Sequence, residues 1–147
     1  MAVDIAWDYP NPYTLEVSVA AEHIDALKHT NNAVYVTWCM HAAWAHTESL
    51  GLGAEEYAQL DRAMAMTRAE YDYLRATHEG DPLIVGTWIT HWDRRMTMER
   101  KLQIVDAHTG ATVLRARLEF VCIEISSGKP KRPPQAFITG YGPAVIN

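Results

Sequence analysis

The sequence predicts an α+β domain in which one antiparallel sheet curls around a single buried helix. Three observations carry that prediction. Apolar residues alternate with period two in four separate stretches, and a fifth is rich in β-branched and aromatic residues; both are signatures of strands. The one long stretch of helical period is apolar round nearly its whole circumference, as a buried helix is. Turn-forming segments join the last four of these strand stretches into three consecutive hairpins, and hairpins make antiparallel pairs.

The elements follow in order. From Tyr13 to Ala20, residues Tyr13, Leu15, Val17 and Val19 face one way, with Thr14, Glu16 and Ser18 opposite. From Asn31 to Leu50 the period lengthens: Val34, Tyr35, Trp38, Cys39, Ala42, Ala43, Trp44 and Ala45 spread around a helix that Gly51 and Gly53 end. Arg62 to Arg75 sets Ala63, Ala65, Ala69, Tyr71 and Tyr73 against Met64, Met66, Arg68, Glu70 and Asp72. After the turn Glu79-Gly80-Asp81-Pro82, the stretch Leu83 to Trp92 is rich in β-branched and aromatic residues. Asp93-Arg94-Arg95 is the next turn. Thr97 to Val105 turns Met98, Leu102 and Ile104 inward and Thr97, Glu99, Lys101 and Gln103 outward. A hairpin loop at Asp106–Gly110 leads into Ala111 to Ile125, where Leu114, Ala116, Leu118, Phe120 and Cys122 share a face.

Composition narrows the class. The 147 residues are 48% apolar and 21% charged, which suits one soluble globular domain spanning 1–147. A net charge of −5 argues against a general nucleic-acid binder. Cys39 and Cys122 lie in apolar company without C-x-x-C spacing and read as reduced core residues. The start, MAVDIAWDYP, has no signal-peptide pattern, and no apolar run approaches the ~20 residues of a membrane span. The expected location is cytoplasmic, with no membrane partner. The seven histidines are scattered without a ligand spacing, so no metal site is expected.

The chemistry concentrates in HIDALKHTNNAVYVTW, His23 to Trp38. An acid, two imidazoles and two amides stand directly before the apolar helix. Read as isolated residues, Asp25 is a turn residue, Asn31 and Asn32 are helix caps, and Tyr35 packs in the core with a tethered hydroxyl. The spacing D-x-x-x-H-x-N-N-x-x-Y, formed by Asp25, His29, Asn31, Asn32 and Tyr35, resembles the loop of the hotdog-fold thioesterases of the 4-hydroxybenzoyl-CoA thioesterase-like family. VCIEISSGKPKRPP resembles that family's last strand and its ending. The resemblance runs from Tyr13 to about Pro134. It implies a hotdog fold, a five-stranded antiparallel sheet wrapped around one long central helix. It also implies an acyl-CoA thioesterase that works without a cofactor, as a homodimer or homotetramer. Two positions depart from the family. Lys28 stands where relatives often have glycine, and Met40 and His41 stand where many carry a helical glutamate.

Thioester hydrolysis needs a nucleophile and a stabiliser for the developing oxyanion. Without the helical glutamate, the resemblance puts the acid's role on Asp25, either as direct nucleophile or as the base that deprotonates water. His29 would orient Asp25 or the water. Asn31 and Asn32 would cap the helix, bind the carbonyl oxygen or hold the water, beside the free amides of the helix N-terminus. Thr37, His41 and Glu48 fall within about 40° on a helical wheel and line either the acyl pocket or a subunit interface. The tryptophans, Trp38, Trp44, Trp88 and Trp92, read first as core. Two basic groups, Arg94 and Arg95 with Arg100 and Lys101, and Lys129, Lys131 and Arg132, are candidates to grip the CoA phosphates. The alternatives are an acyl carrier protein (ACP) thioesterase, whose carrier would dock on those cations, and a non-catalytic hotdog domain that binds an acyl ligand. By the same resemblance, the strand Arg62–Arg75 lies at a sheet edge and pairs two subunits.

Overall fold

The computed structural model describes residues 3–146. Five strands, β1 (Tyr13–Ser18), β2 (Arg62–Tyr73), β3 (Pro82–Trp92), β4 (Thr97–Asp106) and β5 (Thr112–Glu124), form one sheet in the order β1-β3-β4-β5-β2. The helices are α1 (Asn32–Ser49), α2 (Ala54–Leu60) and α3 (Gln135–Tyr141), with single 3-10 turns at Ala21–His23 and Gly142–Ala144. The α+β class and the five-stranded antiparallel sheet stand as expected, but only two of the three expected hairpins form: β2 lies at the sheet edge beside β5, not beside β3, whose free side is taken by β1. In β1 the alternation sets the register: Leu15 lies opposite Val85 and Val17 opposite Leu83, so apolar residues meet on one face.

Contacts divide the fold into two units, each assembled from three chain segments. The first comprises the chain up to Ala43, Tyr71–Thr87 and Leu102–Ala116; the second comprises Trp44–Glu70, Trp88–Lys101 and the chain from Arg117 onward. In the first, Tyr35 and Trp38 pack edge to face at 5.6 Å, and Trp38 meets the His23 ring at 5.3 Å. In the second, Leu52, Tyr57, Ile89, Trp92, Met98, Cys122, Phe137 and Tyr141 form one apolar cluster. Gly140 belongs there of necessity, because a Cβ at that position would come within 2.6 Å of Leu52 Cδ1.

Several expectations are corrected. Helix α1 is not buried all round: Tyr35, Trp38, Cys39 and Ala42 are buried, but Ala33, Thr37, Met40, His41, Trp44 and Glu48 form an open stripe. Hydrophobicity misleads here because Met40 and Trp44, 45% and 40% exposed, are apolar residues on the outward face. Trp38, Trp88 and Trp92 are core residues, as read from the sequence. Gln103 is on the expected face yet fully buried, because the N-terminal segment covers it. Its Oε1 accepts from the Asp8 amide at 2.9 Å, and its Nε2 donates to the Ala6 carbonyl at 3.3 Å and Thr112 Oγ1 at 3.0 Å. The same segment lays Trp7 on Gly86, where a Cβ would stand 2.6 Å from the indole. Arg100 is only 3% exposed and cannot join a solvent-facing basic cluster. Its even-numbered neighbours Met98, Leu102 and Ile104 are the inward row of β4, so period two already placed it inside.

Two short helices escaped the periodicity. Helix α2 starts at Gly53, whose amide donates to Glu56 Oε1 at 3.1 Å. Helix α3 follows Pro134 and buries Phe137 and Tyr141, four residues apart on one face. At seven residues each, they are too short for a pattern over 11–18 residues to register.

Candidate active site

The loop between β1 and α1 is built around one carboxylate. Ile24 and Thr30 pair as an isolated antiparallel bridge, and the Asp25 amide donates to the His29 carbonyl at 2.9 Å. Asp25 Oδ1 accepts from the amides of Leu27 (2.9 Å) and His29 (3.3 Å), closing an Asx-type turn on its own loop. Among the described residues Oδ2 has no protein partner. Lys28 sits at φ +64°, the left-handed region that favours glycine, which is the residue the resembling family often has there. The chain keeps the turn and accepts the strain.

The loop is pinned by Thr77, which lies a short way past β2. The Thr30 amide donates to the Thr77 carbonyl at 2.9 Å, and the two hydroxyls meet at 2.6 Å. Tyr35 OH also meets Thr77 Oγ1 at 2.6 Å. Tyr35 is therefore the buried, tethered residue expected of it. Asn31 caps α1 through Oδ1, which accepts from the Ala33 amide at 2.9 Å, and so its side chain is committed to structure. The Asn32 side chain has no protein partner among the described residues, and neither does its amide, the first of α1. The Asn32 carbonyl accepts from Tyr73 OH at 3.3 Å.

These pieces enclose a cleft of about 280 Å³ within the first unit. Asp25, His29 and Asn32 line it together with Thr30, Tyr35, Leu27 and the run Tyr73–Ala76. The structure thus brings together three of the four expected catalytic residues, with Asn31 beside them as the cap. His29 does not hold the Asp25 carboxylate: among the described residues no side-chain bond joins them, and the His29 ring lies edge-on to His78 at 5.2 Å. Tyr73, Arg75 and His78 were missed by sequence reading. They lie more than forty residues downstream of the loop, and no linear spacing connects them to it.

The remaining expected residues lie elsewhere. Thr37, His41 and Glu48 share the open stripe of α1 and are not among the cleft's lining residues. Arg94 and Arg95 occupy the tip of the β3–β4 hairpin, in the second unit. Asp93 organises that tip: burial pushes its carboxyl up, but bonds from the Arg95, Met96 and Thr97 amides and Thr97 Oγ1 outweigh it and hold it at about 2. Lys131 is paired with Glu124 at 2.6 Å, while Lys129 and Arg132 are exposed.

The second unit holds a buried polar network that the sequence did not announce. Arg100 Nη1 lies 2.9 Å from His46 Nδ1, Nη2 lies 3.5 Å from Thr47 Oγ1, and Tyr141 OH reaches Thr47 Oγ1 at 3.4 Å and also bonds to Tyr57 OH. A guanidinium only donates, so His46 Nδ1 accepts and its proton resides on Nε2. Burial, and then the Arg100 charge, lower His46 to about 4. Burial likewise lowers Arg100 to about 10 and raises both tyrosines. Among the described residues no group of three or more His, Cys, Asp or Glu is placed to hold a metal, and no helix is long and apolar enough to cross a membrane.

Comparison with known proteins adds the family. A thioesterase-like superfamily model matches residues 19–139, most of the chain and the whole of the cleft. The chain belongs to the thioesterase-like superfamily. Thioester hydrolysis is the activity that this membership supports. The chain is 29% identical over 78 residues to the chloroplastic acyl-acyl carrier protein thioesterase ATL3 of Arabidopsis thaliana, a match that takes in 53% of this chain and 41% of that protein. Solved structures with the same fold include Slr0204, a 1,4-dihydroxy-2-naphthoyl-CoA thioesterase from Synechocystis. It has a TM-score of 0.79 at 23% identity, covering 88% of this chain and 95% of that one. They also include the protein SAV2348 from Staphylococcus aureus in complex with CoA, with a TM-score of 0.84 at 19% identity, covering 93% and 87%. This superfamily member therefore has the hotdog fold.

Proposed function

We propose that this thioesterase hydrolyses an acyl-CoA to the free acid and CoA-SH, with Asp25 as its catalytic carboxylate. The observation that carries the reading is the pairing of two unengaged groups in one cleft. Asp25 holds Oδ1 in its own turn and presents Oδ2, while the Asn32 amide opens the helix beside it. The helix N-terminus bears roughly half a positive charge and stabilises the oxygen of the tetrahedral intermediate. Asp25 Oδ2 then either attacks the carbonyl, forming a mixed anhydride as the thiolate leaves, which water cleaves to the free acid and the restored carboxylate, or takes the proton of an attacking water. The Asn32 side chain holds the carbonyl oxygen or the water. His29, edge-on to His78, contacts the water or the leaving sulfur rather than steering Asp25.

The second reading is an acyl-ACP thioesterase, which the plant relative favours; the exposed Lys129, Arg132, Arg94 and Arg95 would then meet an acidic carrier. Thiol release, followed with a dye across short, long, branched and aromatic acyl-CoAs and the matching acyl-ACPs, separates the readings. Turnover of at least one acyl-CoA is the expected result. Release only from carrier-bound substrates would favour the second reading. Binding without release from any of them would make the protein a ligand-binding hotdog domain.

A further inference from the structure

Arg75 has no part in the reaction as drawn, yet it lines the same cleft as Asp25, His29 and Asn32. Its backbone is fixed: the amides of Leu74 and Arg75 both donate to the Val113 carbonyl, at 2.9 and 3.2 Å. Its side chain is exposed, and among the described residues the guanidinium makes no ion pair or hydrogen bond. Other arginines of the chain are engaged: Arg68 with Glu70, Arg115 with Asp8, Arg117 with Glu99 and Glu119. Among the described residues no other arginine or lysine lines the cleft. Around it, Leu27 and Leu74 are 75% and 49% exposed, which gives the lining apolar surface beside one cation and one carboxylate.

That combination selects a ligand. A carboxylate at the reacting centre repels a polyanionic substrate, so a cation in the same cleft must offset the repulsion if such a substrate is to enter. A guanidinium matches phosphate in both charge and planar two-point geometry. We infer that Arg75 is the anion-binding residue of the Asp25 cleft and that its ligand is a phosphate of the thioester's carrier. This inference rests on the thioesterase reading above. The phosphate belongs either to the phosphopantetheine arm, which CoA and carrier proteins share, or to the nucleotide of CoA.

Three esters of one acyl group separate these sources: the N-acetylcysteamine thioester, which has no phosphate, the 4′-phosphopantetheine thioester, and the acyl-CoA. For Arg75→Ala, kcat/KM on acyl-CoA should fall about tenfold further than on the phosphate-free ester, mostly through KM. An equal loss on the phosphopantetheine ester assigns the arm's phosphate; a loss confined to acyl-CoA assigns the nucleotide. Arg75→Lys should restore part of the loss, and thermal stabilisation by CoA alone should shrink in Arg75→Ala. Equal losses on all three esters would overturn the inference, since Arg75 would then act on the acyl group or on the cleft's shape. If the unaltered protein cleaves none of the three, the acyl-CoA reading fails instead, and the two failures are distinguishable.

Discussion

At Asp25, one oxygen is structural and the other is open, which makes asparagine an informative replacement. The amide oxygen of Asn still accepts from Leu27 and His29, so the turn survives while nucleophile and base are both lost. Asp25→Asn should lower kcat by ~10²–10⁴-fold with substrate affinity little changed, measured as kcat and Kd on the best substrate. A drop of less than about tenfold would remove Asp25 from the chemistry. The acid would then have to come from β2 of a second copy, with Asp72 ahead of Glu70, because Glu70 is held by Arg68 at 2.7 Å. Lys28 supplies a second test. At φ +64° a side chain costs about 1–2 kcal/mol, partly offset by the greater flexibility glycine brings to the unfolded chain. Lys28→Gly should therefore gain a few tenths to about 1 kcal/mol in urea unfolding. A loss of stability would mean the left-handed turn is not strained.

Helix α1 does different work at its two ends. At its start, Asn31 and Asn32 are neighbours with opposite roles. Asn31→Ala removes the cap and should cost about 1 kcal/mol of stability. Asn32→Ala should leave stability nearly intact and lower kcat by on the order of 10²-fold. Reversed outcomes would exchange the two assignments. Near its end, His46 is neutral against Arg100, with its pKa lowered to about 4 from 6.5. Above pH 6.5 neither folded nor unfolded chain binds this proton, so nothing changes there. Between about 6.5 and 4 the unfolded chain takes the proton and the folded one does not. Stability therefore falls as pH drops through that window, by up to on the order of 3 kcal/mol. Unfolding midpoints from pH 7.5 to 4 in the native protein and in His46→Gln check it. The variant should lose much of that slope; an unchanged slope would place the acid sensitivity elsewhere.

For the whole molecule, the open surfaces point to pairing of two copies, as the family resemblance implied. Strand β2 ends the sheet with an unpaired edge twelve residues long, and Met66, on that strand, is 43% exposed. Ala33, Thr37, Met40 and Trp44 repeat on α1 at intervals of four, three and four residues, the spacing of a helix-packing seam. A long unpaired edge invites pairing. A replacement within Met64–Ala69 that introduces charge and proline should yield monomers by light scattering and abolish thioester hydrolysis at the same time. A fully active monomer would show that one chain carries the complete site.

By itself the sequence determined the elements whose period is long enough to read. Four strands follow from alternation, β3 follows from its β-branched and aromatic composition, and the span of α1 follows to within a residue at either end from the change to helical spacing. The sequence also placed Asp25, His29 and Asn32 in one short stretch before and at the start of α1, because they are near in the chain, and a motif of local spacing is visible without folding. Helices α2 and α3 are too short for that signal, and the open face of α1 is hidden because Met40 and Trp44 are as apolar as core residues. What only tertiary structure decided are the contacts between distant segments. Thr77 clamps the loop, Tyr73 and Arg75 complete the cleft wall, His78 takes the His29 ring, and the Ala6–Asp8 segment buries Gln103. Arg100 lay between the two cases, since parity put it inside while its charge argued for outside. The fold resolves that conflict with His46 and Thr47 from α1, partners that become neighbours of β4 only when the chain has closed on itself.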